Sequence, residues 1–409
     1  MMCRHCALPL TLPLIDLGTA PPSNAYVTVE ELRRPEKWYP LRVLVCERCW
    51  LAQTEDFAGR EELFTADYAY FSGLSETWLA HCKRFVDTAA ARFGLNESSF
   101  VVEVAANDGT LLHYVKERGI DCLGIEPTAS TAAAARARGI PVVEEFFGAR
   151  LARELAAQGL KADLMVANNV LAHVPDINDF AEGFTILLKP EGVATFEFPH
   201  LMRLILETQF DTIYHEHYSY LSLGAVSRVF ERAGLDIFDV EQIPTHGGSL
   251  RVFAQRLATG RESRSPAVAA LLRREAEAGM NERTFYEGFQ ARADRIKDAF
   301  LSFLLQMKRE GRKVAAYGAA AKGNTLLNYA GVKRDLLPYV CDAAPSKQGK
   351  YMPGSRIPIL PPAVLAEHRP DVIVILPWNI ADEIVRHHDY VRHWRGSFAV
   401  AIPRLEIWS

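Results

Sequence analysis

The chain has 409 residues, 49% of them hydrophobic, and a formal charge of −4 at neutral pH. That length exceeds what one ordinary core organises, so two or three domains are expected, and the apolar share suffices to bury them. The basic residues are scattered, which excludes a nucleic-acid footprint; no run of about 18 apolar residues marks a membrane span, and the first residues lack the order of a secretory leader, so a cytoplasmic protein is expected. The seven cysteines are an odd number, and four of them form two close pairs instead of a disulfide framework, which fits a reducing compartment.

Those pairs open the chain. Cys3-Arg-His-Cys6 and Cys46-Glu-Arg-Cys49 are two Cys-x-x-Cys knuckles, and two knuckles close the tetrahedral thiolate shell of a structural zinc ion. Reduced, unliganded dithiols are the alternative, as is His5 in place of one thiol. Between the knuckles, Ile15, Leu17, Pro21 and Pro22 read as irregular chain with short strands. A segment this short is expected to need its metal to bury a core. It carries no basic helix, so a nucleic-acid finger is not indicated. The aromatic stretch Asp67-Tyr68-Ala-Tyr70-Phe71-Ser72 leads into an amphipathic helix over about 75–91. A tyrosine at such a junction can pack against the next domain or close over a ligand, since ligands favour domain seams.

Next come the marks of an α/β nucleotide-binding unit. Phe100–Ala105 reads as a buried strand running through Ala106-Asn-Asp-Gly-Thr110 into a helix over 111–117. The loop has one glycine where a dinucleotide fold would have three, so a cofactor without a pyrophosphate suits it better. Glu103, Ala105, Asn107 and Gly109 are its candidate contacts. A second strand ends in Glu126-Pro127, where a carboxylate can accept ribose hydroxyls. A third precedes Phe146 and Phe147, placed to flank an adenine. A fourth ends in Asn168-Asn169 and leads to His173, and a fifth spans 192–199. All these loops follow strands, on the face where parallel sheets bind ligands.

Tyr214-His-Glu-His-Tyr-Ser-Tyr220 concentrates imidazole, carboxylate and phenol, the groups suited to moving a proton near neutral pH. A polar loop with aromatic anchors is the plainer reading. On a strand, His215 and His217 would share a face and could bind a metal, though no third ligand stands nearby. Leu235–Val240 and Leu250–Gln255 read as a hairpin closing the sheet. His246, Ser249 and Arg251 beside its glycines are candidates for a diphosphate, or for turn chemistry with a solvated arginine.

In their order, Glu103-Val-Ala-Ala-Asn-Asp-Gly-Thr110, Gly124-Ile-Glu-Pro127, Ala167-Asn-Asn-Val-Leu-Ala-His173 and Tyr214-His-Glu-His217 resemble the S-adenosylmethionine-dependent sugar C-methyltransferases. The likeness is strongest to those acting at C-3 of TDP-4-keto-deoxysugars. It covers nearly the whole chain, and its most specific elements are Tyr-His-Glu-His and the four cysteines. It implies a class I methyltransferase Rossmann-like domain over residues 75–257, a zinc-binding domain over 1–74, and a helical bridge with a second Rossmann-like domain over 258–409. It implies S-adenosylmethionine as cofactor, structural zinc, and a nucleotide-linked sugar as the small-molecule partner, and a monomer is compatible with it. In chemical terms His217 is the candidate base, with Tyr214 as the alternative; Glu216 orients an imidazole or holds sugar hydroxyls, and Tyr214, where His217 is the base, donates to an enolate oxygen. His173 and Tyr68 match active-site positions of the family, and Tyr70 joins them as a substrate contact.

The last third begins with Ser265-Pro266, a helix cap followed by proline at the first helical position, and helical spacing runs to about residue 308 with a break near Gly279. Strands over 312–317, 337–342 and 371–377 then alternate with helices. The glycines of Gly318-Ala-Ala-Ala-Lys322-Gly-Asn324 fit neither a dinucleotide nor a Walker motif. Lys322, Asn324 and Lys347 are candidates for the substrate's phosphates, with solvated lysines as the alternative. Two further function classes fit less well: a zinc-stabilised binding protein with a degenerate cofactor domain, and a methyltransferase directed at oxygen or nitrogen.

Overall fold

Three sheets organise the chain in the computed structural model, which describes residues 1–63, 72–74 and 76–408. The first begins with β1 (Leu12–Ala20), β2 (Tyr39–Val45) and β3 (Ala52–Thr54), paired antiparallel in that order. β1 has nine residues, longer than the short strands in irregular chain that the sequence suggested. It is an edge strand, where Pro13 forfeits no ladder bond the sheet requires. Nor does this segment depend on a core of its own. Leu12, Leu14, Ile15 and Leu17 share one apolar cluster with the helix Phe289–Arg309 and the last sheet, while Cys3, Cys46 and Cys49 pack in the cluster of the central sheet.

The central sheet takes β4 (Phe100–Val104), β5 (Asp121–Ile125), β6 (Val142–Val143), β7 (Ala162–Asn168) and β8 (Leu188–Pro199), all parallel. The chain then leaves this sheet. β9 (Ser219–Tyr220) pairs with β3 as the fourth strand of the first sheet, so the segment just before it is drawn toward the amino-terminal region. β10 (Leu235–Ile243) and β11 (Ser249–Arg256) return as the expected antiparallel hairpin beside β8, giving the order β10-β11-β8-β7-β4-β5-β6. Helices cover both faces, as a parallel sheet requires. On one, Phe147, Phe180, Phe184, Phe196 and Phe230 interlock; on the other, Phe85 of the helix Glu76–Phe93 joins Phe238 and Phe253. Local chemistry sets the helix starts: the Asp176 carboxylate accepts from Asn178 N and Asp179 N, and Ser222 Oγ from Ala225 N.

Ser265 caps the helix Pro266–Glu277 as its sequence indicates, and the longer helix Phe289–Arg309 carries the chain to the third sheet. There β12 (Val314–Tyr317), β13 (Val340–Cys341), β14 (Ile359–Leu360), β15 (Val372–Ile375) and β16 (Ser397–Val400) run parallel, and β17 (Glu406–Trp408) closes the edge antiparallel. The order β14-β13-β12-β15-β16-β17 puts a topological switch beside β12, the second Rossmann-like arrangement expected. Among the described residues no helix is long and apolar enough to cross a membrane.

The turn after β12 depends on Gly318. Its φ is +88°, and a Cβ there would lie 2.4 Å from the Pro377 ring. Both the left-handed backbone and the clash oppose a side chain, so Gly318→Ala is expected to lower stability by roughly 1–3 kcal/mol, read as a drop in the thermal and urea midpoints.

Candidate active site

Strand ends of the central and third sheets face one cavity of about 1360 Å³. A pocket for one drug-sized ligand is commonly about 300–1,000 Å³, so this space suits two ligands side by side. Glu103, Ala105, Asn107, Glu126, Pro127, Phe146, Phe147, Asn168, Asn169 and Arg251 line it from the central sheet and its strand ends, His173, Tyr214, Glu216, His217 and His246 from the loops beside it, and Lys322 and Lys347 from segments beside the third sheet.

At the central-sheet end the backbone after β4 alternates through the left-handed region: φ is +56° at Ala105, +50° at Asn107 and +73° at Gly109. Two of these are not glycine, a strain of about 1–2 kcal/mol each, and such strain gathers where a loop is shaped for a ligand. Gly109 does not line the cavity; it starts the helix Thr110–Lys116, and a Cβ there would stand 3.1 Å from both Ala135 and Ile140. The loop is held from the domain junction, where Ser72 N donates to Asn107 Oδ1 (2.9 Å) and Ser72 Oγ and Gly73 N donate to Asp108 (2.8 and 3.0 Å). Tyr68 and Tyr70, just upstream, lie outside the described residues.

Glu126 reaches across from β5. Its Oε2 accepts from Asn107 N (2.9 Å) and its Oε1 from Thr128 N (3.0 Å) and Thr128 Oγ1. Three acids meet here, and burial, with Asp108 and Glu126 close by, holds the Glu103 carboxyl well above the usual carboxylate range. Glu103 Oε2 and both amide atoms of Asn168 are buried without a hydrogen-bond partner among the described residues. A cationic ligand with its own donors and acceptors would satisfy them, and S-adenosylmethionine is one, carrying a sulfonium, an ammonium and ribose hydroxyls.

At the other end, residues 214–217 form a turn and not a strand, which begins only at Ser219. The two histidines therefore diverge. His215 is buried against the first sheet with Nε2 3.3 and 3.2 Å from the Tyr39 and Pro40 carbonyls, so the shared metal face that a strand would create does not form. His217 turns into the cavity. Its Nδ1 lies 2.9 Å from the Thr212 carbonyl, which can only accept, so Nδ1 carries the proton and Nε2 the lone pair. The His173 ring stands edge-on to it at 4.6 Å, and the Tyr214 ring lies over it at 4.0 Å. Burial, reinforced by His173, pushes His217 well below the ordinary imidazole range; burial takes His173 to about 4, and burial with the Lys322 charge takes His246 to about 4. All three are neutral at pH 7. The Glu216 carboxylate accepts from Asn24 Nδ2 at 2.7 and 2.9 Å.

Partners distant in sequence explain several other placements. Arg251 is neither solvated nor free for a phosphate: its Nε donates to Glu197 (2.7 Å), which also meets His81 Nε2 (2.8 Å), and its Nη1 donates to Glu241 (3.1 Å). Ser249 Oγ donates to the Thr245 carbonyl (2.9 Å) and faces away from the cavity. Asn324 is buried outside the cavity, its Nδ2 donating to the Ser23 carbonyl (2.6 Å), so a phosphate cannot reach it. Lys322 Nζ donates to Asn379 (2.6 Å) above the Trp378 ring, and burial lowers its pKa against the opposing pull of Asp211. Lys347 Nζ donates to the Ala319 carbonyl (2.9 Å), 3.7 Å from Asp342. Asn24, His81, Trp78, Asp211 and Trp378 escaped sequence reasoning. No local motif marks them, and only their contacts with the site single them out.

Away from the cavity, Cys3, Cys6, Cys46 and Cys49 bring their Sγ atoms within 4.8 Å of one another, the one such group among the described residues that fits a metal ion. Cys3–Cys49 and Cys6–Cys46 are 3.5 and 3.4 Å apart. Four thiolates about 2.3 Å from zinc stand about 3.8 Å from each other, so the set fits a closed structural zinc shell, and His5 is not needed in it: its Nδ1 faces Asn178 Oδ1 at 2.8 Å.

Comparison with known proteins bears on the same three regions. Residues 3–64 match a family described as a zinc binding domain, residues 77–240 a methyltransferase domain, and residues 244–403 a C-methyltransferase C-terminal domain. The C-methyltransferase NovU of Streptomyces niveus is 35% identical over 407 residues, covering 100% of this chain and 96% of the relative. Among solved structures, the magnesium protoporphyrin IX methyltransferase ChlM of Synechocystis with bound SAH is 14% identical, covering 44% of this chain and 83% of its own, with a TM-score of 0.35. The PH0226 protein of Pyrococcus horikoshii is 12% identical over 46% of this chain and 95% of its own, with a TM-score of 0.38. Identity at this level from end to end, with family matches over all three regions, means that the chain belongs to the S-adenosylmethionine-dependent C-methyltransferases with an amino-terminal zinc-binding domain.

Proposed function

We propose that this enzyme methylates C-3 of a nucleotide-linked 4-keto-deoxysugar, with TDP as the nucleotide, through an enolate. The observation that carries this reading is the Nδ1–H tautomer of His217, whose Nε2 lone pair belongs to the cavity that also holds the cofactor loop. Methyl transfer to carbon needs a carbon nucleophile, and the 4-keto group makes the C-3 hydrogen acidic enough for an imidazole to remove. His217 Nε2 takes that proton, and the C–H electron pair moves into a C-3/C-4 double bond as the carbonyl oxygen becomes anionic. Tyr214 donates to this oxygen, Glu216 holds sugar hydroxyls from its anchor on Asn24, and neutral His173 shields the base from water. S-adenosylmethionine supplies the electrophilic methyl group, and binding in one cavity aligns it with the enolate carbon. Tyr68 and Tyr70 complete the sugar contacts, and Lys322 and Lys347 meet the diphosphate. Residues 1–74 brace the site, 75–257 hold the methyl donor, and 258–409 hold the nucleotide.

In deuterated buffer, His217→Asn is expected to slow both C-3 proton exchange and methylation by about a hundredfold or more while S-adenosylmethionine binding, followed by calorimetry, persists. Exchange at the wild-type rate in that variant would remove His217 from the role. The pH profile supplies a second check. The base works only when neutral, and its pKa in the folded protein lies below the free value of 6.5, so protonation begins only at more acidic pH. The acid limb of kcat/KM should therefore stay flat on descending from pH 8 through 6.5 and fall below it; a half-maximum at or above 6.5 contradicts the assignment.

A further inference from the structure

Arg4 sits between two cysteines of the first knuckle, yet its side chain leaves the metal site. Its guanidinium is nearly buried, with Nη1 donating to the Pro175 carbonyl (2.9 Å) and Nη2 to the Thr54 carbonyl (2.8 Å) and Asp56 Oδ1 (2.6 Å). It lies 5.3 Å from the centre of the Tyr218 ring. Pro175 and Tyr218 belong to the segments that carry His173 and His217, and Thr54, from β3, bonds to the second of them. Pro175 follows His173 by two residues. Thr54 donates from Oγ1 to the His217 carbonyl (2.8 Å) and from its backbone N to Tyr218 O (3.2 Å). The other end of Arg4 is equally fixed: its backbone N donates to Gln53 Oε1 (2.9 Å), Gln53 Nε2 reaches Cys3 Sγ (3.4 Å), and Asn178 Nδ2 donates to the Arg4 and His5 carbonyls (3.1 and 3.0 Å). One planar fork thus joins the knuckle to the two segments whose rings meet at 4.6 Å.

We propose that Arg4 is a positioning residue for the methyl transfer, its guanidinium transmitting the rigidity of the zinc knuckle to the spacing of His173 and His217. The inference rests on the reading of His217 as the base. A fixed fork suits this task because it meets three acceptors in set directions; a lysine ammonium keeps the charge but not the geometry. It also gives the zinc ion a consequence for catalysis without any contact with substrate.

The test uses the zinc-loaded full chain as wild type, Arg4→Lys, Thr54→Val and the double variant, with zinc content and S-adenosylmethionine affinity measured for each. Expected are unchanged zinc and cofactor affinity, a fall in kcat of about tenfold or more for Arg4→Lys with little change in KM, and a smaller fall for Thr54→Val. The double variant should lose less than the product of the two, because both act on one network. Amide exchange should quicken over residues 171–175 and 214–218 in Arg4→Lys and stay as in wild type around the cofactor loop. Wild-type kcat in Arg4→Lys, or losses that multiply, overturns the proposal. If Arg4→Lys sheds zinc, Thr54→Val decides, since it leaves the knuckle intact: wild-type kcat and exchange there overturn it. Exchange and zinc content need no substrate, so a failure of the His217 assignment would appear in proton exchange at C-3 and not in these two readouts.

Discussion

The turn at residues 213–217 has no regular structure of its own to hold it, and the site depends on how it is held. Segments in or beside each of the three sheets contribute a bond to the turn or to a residue next to it. Asn24 and Thr54 come from the amino-terminal region, to Glu216 and the His217 carbonyl. Thr325 Oγ1 and Trp378 Nε1 come from the carboxyl-terminal one, each 2.8 Å from its acceptor, the Ile213 carbonyl and Asp211. The central sheet reaches it through the Ala172 carbonyl, which accepts from Tyr218 N. A turn fixed from so many directions keeps its side chains in place before any ligand arrives, and preorganisation of that kind is what proton transfer and alignment need. It also explains why β9 deserts the central sheet: pairing with β3 brings residues 214–217 to the junction of all three sheets.

Charge is divided within the cavity to match. The end beside β4 and β5 collects Glu103, Asp108 and Glu126, a surplus of acid that favours a cationic ligand. The far end keeps His173, His217 and His246 neutral by enclosure, reinforced at His217 by His173 and at His246 by the charge of Lys322. Were these imidazoles charged, they would repel a sulfonium and hold no lone pair for a proton. A sulfonium placed between the two ends would face carboxylates on one side and uncharged rings on the other. Burial produces both conditions, because desolvation disfavours whichever form is charged: it raises the carboxyl and lowers the imidazoles.

The amino-terminal region shows how a small module avoids the cost of a small core. It adds the zinc shell to an apolar face that it shares with the helix Phe289–Arg309 and the last sheet, and its cysteines pack against the central domain. Zinc therefore does not stabilise an isolated bead. It fixes one wall of a junction.

Features set by neighbours in sequence could be read from the sequence. The Cys-x-x-Cys pairs, the strand-to-loop passage at Ala105-Ala106-Asn107, the acid at Glu126 and the Ser265-Pro266 helix start each follow from spacing or backbone preference over a few residues, and the alternation of strand and helix implies parallel sheets. Features set by partners far along the chain could not. Arg251 looked available for a diphosphate until Glu197 and Glu241 claimed it; Asn324 looked like a phosphate contact until Ser23 did. His215 and His217 are alike in sequence and opposite in placement, because the carbonyls of Tyr39 and Pro40 draw one ring aside while that of Thr212 orients the other. Composition and short-range pattern thus determined which chemistry the chain carries. Which of two equivalent side chains faces the cavity was decided by tertiary packing alone, since hydrogen bonds and burial depend on distance in space and not on separation along the chain.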